Sequence, residues 1–283
     1  MAENICIYHG NCLDGFAAAW VVWDHCRRGK MEIEFHAGIY RKEPPDVKDK
    51  SVVIVDFSYP RNVMLQIAAD AHEVIILDHH KSAKEDLIGI DKINGVFVDF
   101  DMDKSGCMLA WDHFNPFMPV PKLLDYIQDY DLWRFNLDDT KEINAALASH
   151  EYDFEMWNRL IKDRTYLMDL RMEGRGILRK MHKEIDEYIA VGLQQGNING
   201  YTVPVINLPY FYKNEAAEKL CKGKPFAAVY YLLKNSVGFS LRSDKNGVDV
   251  SQVARYFGGG GHKHAAGFSI SYSRFLTWAR ELT

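Results

Sequence analysis

The chain has 283 residues, 47% of them hydrophobic, and a formal net charge of −5 at pH 7. That length and apolar content suit two domains with proper cores, and the sequence has neither an internal repeat nor a low-complexity tract. The cysteines Cys6, Cys12, Cys26, Cys107 and Cys221 are odd in number and form no Cys-x-x-Cys pair, which argues against a disulfide framework or a zinc knuckle. Taken in chain order, the first part alternates strand and helix: strand 4–8, a helix from Phe16 to Arg28, strands 32–36 and 51–56, a helix from Arg61 to Ala71, and strands 73–78 and 95–99. Such alternation predicts an α/β domain with a parallel sheet. Apolar residues at three- and four-residue spacing then predict helices over 106–114, 121–130, 141–149, 154–162 and 166–195. Gln195-Gly196-Asn197-Ile198-Asn199-Gly200 reads as a polar break before a smaller α/β unit. That unit has strands over 201–207, 226–233 and 237–241, a helix over 250–257 and a strand over 267–271.

Charge divides with the domains. Residues 1–199 carry 23 Lys and Arg against 34 Asp and Glu, whereas residues 200–283 carry 11 against 5. Carboxylates in the first part suit divalent cations, and a basic second part suits anionic groups on a substrate. No apolar run approaches bilayer length, and Met1-Ala2-Glu3-Asn4 lacks a charged n-region followed by an apolar stretch, so a cytoplasmic protein that makes no membrane contact is expected.

The chemistry is concentrated at strand ends. Val74-Ile75-Ile76-Leu77 runs into Asp78-His79-His80, Val52-Val53-Ile54-Val55 ends in Asp56, and Asn4-Ile5-Cys6-Ile7-Tyr8 ends in His9, with Asp14-Gly15 following. In an open α/β sheet the carboxyl ends of the strands are where ligands bind. His9, Asp14, Asp56, His79 and a carboxylate from the segment Ile127-Gln128-Asp129-Tyr130-Asp131 form a mixed nitrogen and oxygen donor set that suits Mn2+ better than a thiolate-bound zinc. Asp56, between the other strand ends, is the natural bridge for a pair of cations.

These motifs, with the Gly259-Gly260-Gly261-His262 cluster following in order, resemble the DHH/DHHA1 phosphoesterase superfamily over nearly the whole chain. The stretches Tyr8-His9-Gly10-Asn11-Cys12-Leu13-Asp14-Gly15-Phe16 and Asp129-Tyr130-Asp131-Leu132-Trp133 look most like its oligoribonuclease and nucleotide phosphodiesterase branch. The resemblance implies an N-terminal parallel-sheet DHH domain with a helical extension over 1–165, a connecting helix over 166–197 and a C-terminal DHHA1 domain over 198–283. It implies two Mn2+ ions, with Mg2+ or Co2+ as substitutes, held by His9, Asp14, Asp56, His79 and Asp129, with Asp131 a rival for Asp129. By the same resemblance His80 faces the scissile phosphate and Asp78 orients the histidine pair. The family's usual Asp two residues before Asp14 is replaced by Cys12, so Cys12, Asn11 or a water completes that site.

For the second domain, Gly259, Gly260, Gly261 and His262 can bring N–H groups to a phosphate, with Arg242 as a further phosphate or base ligand. Ser105, ahead of the helix 106–114, is a candidate to cap it and aim its N-terminus at an anion. Among the tryptophans, Trp133 is the best placed to stack a base. The implied function is manganese-dependent hydrolysis of short single-stranded RNA or DNA oligomers, or linear dinucleotides, to mononucleotides. The alternatives are a cyclic-nucleotide phosphodiesterase, a 3′-phosphoadenosine phosphate phosphatase and, outside the enzymes, a nucleotide-sensing module with a degenerate metal site. Oligomeric state is left open, a homodimer being one expectation.

Overall fold

The computed structural model describes residues 3–40, 42–163 and 165–283. They form two compact units, Met1–Leu178 and Arg179–Thr283. The first opens with β1 (Asn4–His9), α1 (Leu13–Gly29), β2 (Glu34–Gly38), β3 (Ser51–Val55), α2 (Arg61–Asp70), β4 (Glu73–Asp78), α3 (Lys81–Asp86) and β5 (Val96–Phe100). The strands pair in parallel in the order β2-β1-β3-β4-β5. After them come α4 (Gly106–Phe114), α5 (Lys122–Asp131), α6 (Thr140–Leu147), α7 (Phe154–Lys162) and the start of α8 (Tyr166–Gly192).

Both faces of this sheet are covered, which explains strands that are almost continuously apolar. Ile5, Ile7, Val52, Ile54, Val74 and Ile76 join Met64 and Ile67 of α2 in one core. Cys6, Val55 and Leu77 belong to the other, with residues of α1 and α4–α7. Burying a large side chain such as Phe16 or Ile54 contributes about 1.5–3 kcal/mol relative to leaving it in water. The strand order places the direction switch between β1 and β3, because β1 connects through α1 to β2 on one side while β3 continues toward β4 and β5 on the other. A crevice forms outside the carboxyl ends at such a point. His9 ends β1, and Asp56 immediately follows β3.

The second unit takes the rest of α8, then β6 (Gln194–Ile198), β7 (Tyr201–Asn207), α9 (Lys213–Leu220), β8 (Ala227–Leu232), β9 (Val237–Arg242), α10 (Val250–Tyr256), β10 (Gly260–His262), β11 (Ala265–Ile270) and α11 (Tyr272–Ala279). Its mixed sheet runs β10-β11-β9-β8-β7-β6, with β7 and β8 parallel and the other pairs antiparallel. Residues of α8 and α9 cover one core, and residues of α10 and α11 another.

Three local expectations are corrected. The polar break at 195–200 is β6 and its hairpin turn: Asn199 and Gly200 have φ of 53° and 85°, both left-handed, as a two-residue Asn-Gly hairpin requires. The long helix therefore ends at Gly192, and the division between the units falls inside it, after Leu178. Helices α9 and α11 have no counterpart among the elements expected from the sequence. Among the described residues no helix is long and apolar enough to cross a membrane.

Candidate metal centre

Asp56 is buried and lies at the middle of the centre. Its Oδ1 is 3.0 Å from His79 Nε2, and its Oδ2 is 3.3 Å from His9 Nδ1. One carboxylate thus presents its two oxygens to different histidines. Its backbone has φ +54°, a conformation that costs a non-glycine residue of order 1–3 kcal/mol and that surrounding structure must hold in place. Two contacts do so. The Asp56 N–H donates to Leu77 O at 2.9 Å, and Gly106 lies so close that a Cβ on it would stand 2.3 Å from the Asp56 Cβ.

Asp14 sits in the first turn of α1, fully buried. That turn can begin beside β1 because residue 15 is glycine: a Cβ there would be 2.3 Å from His9 O. Asp14 accepts the N–H groups of Gly106 at 2.5 Å and Cys107 at 3.0 Å, and its Oδ2 is 3.9 Å from His79 Nε2. Burial and the charges of Asp56 and Asp131 push the Asp14 carboxyl up to about 8. Burial pulls His79 down, but Asp131, Asp56 and Asp14 outweigh it and raise the imidazole to about 10. The cluster is therefore a concentration of negative charge neutralised in part by an imidazolium. Burial and these same three carboxylates push the Cys12 thiol well up, so a neutral thiol borders the centre where the family pattern has a carboxylate.

Asp78 is oriented away from this cluster toward His80. Its Oδ1 accepts His79 N at 2.7 Å, His80 N at 3.1 Å and His80 Nδ1 at 2.7 Å, while Oδ2 accepts the Ser58 hydroxyl at 2.6 Å. Of the two histidine rings, Asp78 grips that of His80. Burial lowers the His80 pKa, and Asp78 more than offsets it, so the ring is held above its ordinary value. Donor atoms of His9, Asp56 and His80 lie within 4.8 Å of one another, and so do those of Asp14, His79 and Asp131. Tyr40 stands edge-on to His9 at 5.4 Å, a neighbour that no sequence pattern marked.

The structure separates Asp129 from Asp131. Asp129 accepts Asn136 N at 2.9 Å, Leu137 N at 3.1 Å and Thr140 Oγ1 at 2.5 Å, which fastens the loop between α5 and α6. Its oxygens are committed to that loop, so Asp131 and not Asp129 joins the donor cluster. Asp131 ends α5, where the helix dipole disfavours an anion. Its Oδ2 is buried without a hydrogen-bond donor among the described residues and lies 3.4 Å from His79 Nε2. The expectation for Ser105 is also corrected. Ser105 is fully buried, its side chain makes no cap hydrogen bond, and its hydroxyl lies 3.3 Å from Cys107 Sγ. The group at the head of α4 is the Asp14 carboxyl, which accepts the Gly106 and Cys107 N–H groups.

In the second unit Arg242 ends β9 and donates to Asn214 Oδ1 at 2.6 Å and Leu241 O at 3.0 Å. The glycine run is a strand edge and not a nest at a helix terminus. Gly260, Gly261 and His262 pair with Gly267, Ala266 and Ala265 across an antiparallel hairpin. Close packing explains the glycines there: a Cβ on Gly259 would lie 2.1 Å from Gly267 O, and Gly261 has φ +137°.

The first-unit donors fit divalent metal ions. They are imidazole nitrogens and carboxylate oxygens, their mutual repulsion is relieved only in part by the His79 imidazolium, and Asp131 Oδ2 has no hydrogen-bond donor among the described residues. His9, Asp14, Asp56, His79 and Asp131 would hold such ions, in accord with the preference of Mn2+ and Mg2+ for oxygen-rich sites.

Residues 214–281 match the DHHA1 domain. The chain is 29% identical over 288 residues to the uncharacterized protein R106 of Acanthamoeba polyphaga mimivirus, covering 95% of this chain and 68% of that protein. It is 26% identical over 222 residues to oligoribonuclease NrnB of Bacillus subtilis (strain 168), covering 70% of this chain and 53% of that one. The fold is similar to RecJ of Thermus thermophilus in complex with Mn2+, with a TM-score of 0.59 at 13% identity over 98% of this chain and 51% of RecJ. The C-terminal residues thus match a DHHA1 domain, and the chain is similar to the DHH/DHHA1 superfamily. It spans about half the length of the Bacillus relative and of RecJ.

Proposed function

We propose that this chain is a metal-dependent phosphodiesterase that cleaves short oligonucleotides or linear dinucleotides to mononucleotides in the cytoplasm. The observation that carries the reading is Asp56, whose two oxygens address the His9 and His79 sides of one buried donor cluster. Bound divalent cations, Mn2+ being the preferred pair, would supply an activated water and offset phosphoryl charge. The chain's own residues do the rest. Asp78 takes His80 Nδ1 and favours its protonated ring, so Nε2 is the nitrogen that meets a phosphoryl oxygen and stabilises its growing charge. Ser58 holds Asp78 from the far side. Gly106 and Cys107 N–H groups keep Asp14 in place. In the second unit Arg242, Gly259, Gly260, Gly261 and His262 are the proposed contacts to substrate phosphate or base.

Short substrates are favoured because tracking a long strand needs a continuous basic groove, and this chain is acidic overall. The relative named as an oligoribonuclease supports the same reading. The test is a panel of RNA and DNA oligomers of graded length, with cyclic dinucleotides and 3′-phosphoadenosine phosphate, resolved by product in the presence of Mn2+. Dinucleotides should be turned over fastest. Equal rates on a twenty-residue oligomer would replace this reading with a processive exonuclease, and turnover confined to cyclic substrates or to the monoester would replace it with the corresponding activity.

A further inference from the structure

The three histidines of the centre are held in place by different means. Asp78 grips the His80 ring, and His79 is buried among the carboxylates of Asp14, Asp56 and Asp131. The His9 side chain is 22% exposed and turns Nδ1 to Asp56 Oδ2. The rest of its surroundings are rings: Tyr40 at 5.4 Å and 77°, Phe57 at 5.9 Å and 39°, and His80 at 5.7 Å and 73° between centroids and planes. Tyr40 and Phe57 also pack on each other at 4.8 Å, so that His9, Tyr40 and Phe57 form a closed triangle of rings.

Backbone contacts fix that triangle. Phe57 follows Asp56 directly, is fully buried and stands on the core beneath the sheet, edge-on to Tyr59 at 4.7 Å. It reaches the end of β2 because residue 38 is glycine: a Cβ there would be 3.0 Å from Phe57 Cδ1. Gly38 pairs with His9 across β1 and β2, and its carbonyl accepts Gly10 N at 2.8 Å. Tyr40, two residues past Gly38, is therefore carried by a segment tied to the one that carries His9. Metal-binding imidazoles depend on neighbours that set their orientation, commonly a carboxylate or carbonyl. Aromatic packing takes that part for His9, since edge-on ring pairs have a preferred geometry of their own.

We propose that Tyr40 is a positioning residue: with Phe57 behind it, its ring holds the His9 imidazole toward Asp56 and so sets the affinity of the cation on the side of the centre formed by His9, Asp56 and His80, leaving the side formed by Asp14, His79 and Asp131 unaffected. This rests on the metal-centre assignment of the phosphodiesterase reading and deepens it, by naming a residue outside the donor set that governs one of the two metal positions. Tyr40 is 48% exposed, so its truncation opens no core cavity and tests the His9 contact rather than the fold.

The experiment titrates Mn2+ calorimetrically into wild type, Tyr40→Phe, Tyr40→Leu, His9→Ala and the double variant Tyr40→Leu/His9→Ala, with thermal melts of the metal-free proteins and diester hydrolysis alongside. Tyr40→Leu should weaken one of the two binding events by about 10- to 100-fold, the range for losing a residue that orients a metal-binding histidine. The other event and the metal-free melting temperature should not change. Tyr40→Phe, which keeps the ring, should bind as wild type does. In the His9→Ala background Tyr40→Leu should have no further effect, because the contact it removes is already gone. Unchanged Mn2+ binding in Tyr40→Leu, an equal loss with and without His9, or a loss in Tyr40→Phe as large as in Tyr40→Leu overturns the proposal; if the wild type still cleaves diesters in that case, the phosphodiesterase reading stands without it. If the variants show the expected pattern of Mn2+ binding but the wild type cleaves no diester, the phosphodiesterase reading fails and the positioning role stands.

Discussion

Gly106 presses against Asp56 so closely that a single methyl group on it would stand 2.3 Å from the Asp56 Cβ. The residue that heads α4 therefore sets the position of the carboxylate that addresses both histidines. Gly106→Ala should move Asp56 and cost about 1–3 kcal/mol of stability, the usual penalty for overpacking. Mn2+ affinity should fall by at least tenfold. Calorimetric Mn2+ titration together with a urea melt checks both, and unchanged affinity would separate Gly106 from the metal centre.

Asp129 and Asp131 should behave oppositely under the same chemical change. Asp129→Asn weakens hydrogen bonds from two backbone N–H groups and the Thr140 hydroxyl, so it should cost about 1–3 kcal/mol of folding stability. Asp131→Asn removes a charge that faces His79 and anchors no loop, so it should abolish most diester hydrolysis while leaving the melting temperature of the metal-free protein unchanged or higher. Activity assays paired with thermal melts in chelator decide the matter. A destabilised Asp131→Asn with full activity would reverse the assignment.

Cys12 borders three carboxylates as a neutral thiol. Cys12→Asp adds a fourth negative group, so the metal-free protein should melt at lower temperature and the Mn2+-loaded protein should regain that loss. Half-maximal rate should then need less Mn2+ than in wild type, because a hard oxygen suits this metal better than a thiol. Melts with and without Mn2+, and a rate titration, test this; an unchanged metal dependence would place Cys12 outside the coordination sphere.

Far from the centre, Asp24 ties α1 to α7. It is buried and contacts Lys162 Nζ at 2.7 Å, Arg27 Nη2 at 2.9 Å and Arg28 Nε at 3.2 Å. Burial alone would raise its carboxyl, but the Lys162 and Arg27 hydrogen bonds outweigh it and hold the pKa below the ordinary range. A carboxylate with a depressed folded pKa stabilises the fold above its unfolded pKa, near 3.9, and that contribution is lost as pH falls toward the folded value. The melting temperature should therefore drop less steeply below about pH 4 in Asp24→Asn than in wild type. Parallel acid-range slopes in the two proteins would refute the role.

Much of this molecule is legible from residue order alone. Apolar runs that end in Asp56, Asp78-His79-His80 and His9 mark strands buried on both faces, because only a parallel sheet covered on both sides requires uninterrupted Val, Ile and Leu. Their carboxyl ends then meet at one rim by topology, so residue order alone places His9, Asp14, Asp56 and His79 together. Helices 106–114 and 154–162 are equally plain from spacing. Distance along the chain does not say which way a side chain turns at the end of a helix. Asp129 and Asp131 differ by about 200° around α5, so one turns to the loop it fastens and the other to His79. Ser105 precedes a helix as a capping residue would, yet Asp14, distant in sequence, reaches the amides first. Asn199-Gly200 carries a clear turn signal, but whether such a turn ends a domain or closes a hairpin depends on the partner that its strand finds. The glycines at 259–261 permit close approach in any fold; only the pairing of β10 with β11 shows what they approach. Local chemistry settled the kind of site and the strands that carry it, while tertiary packing decided which carboxylates face the cluster, because orientation is set by contacts between residues that the sequence keeps far apart.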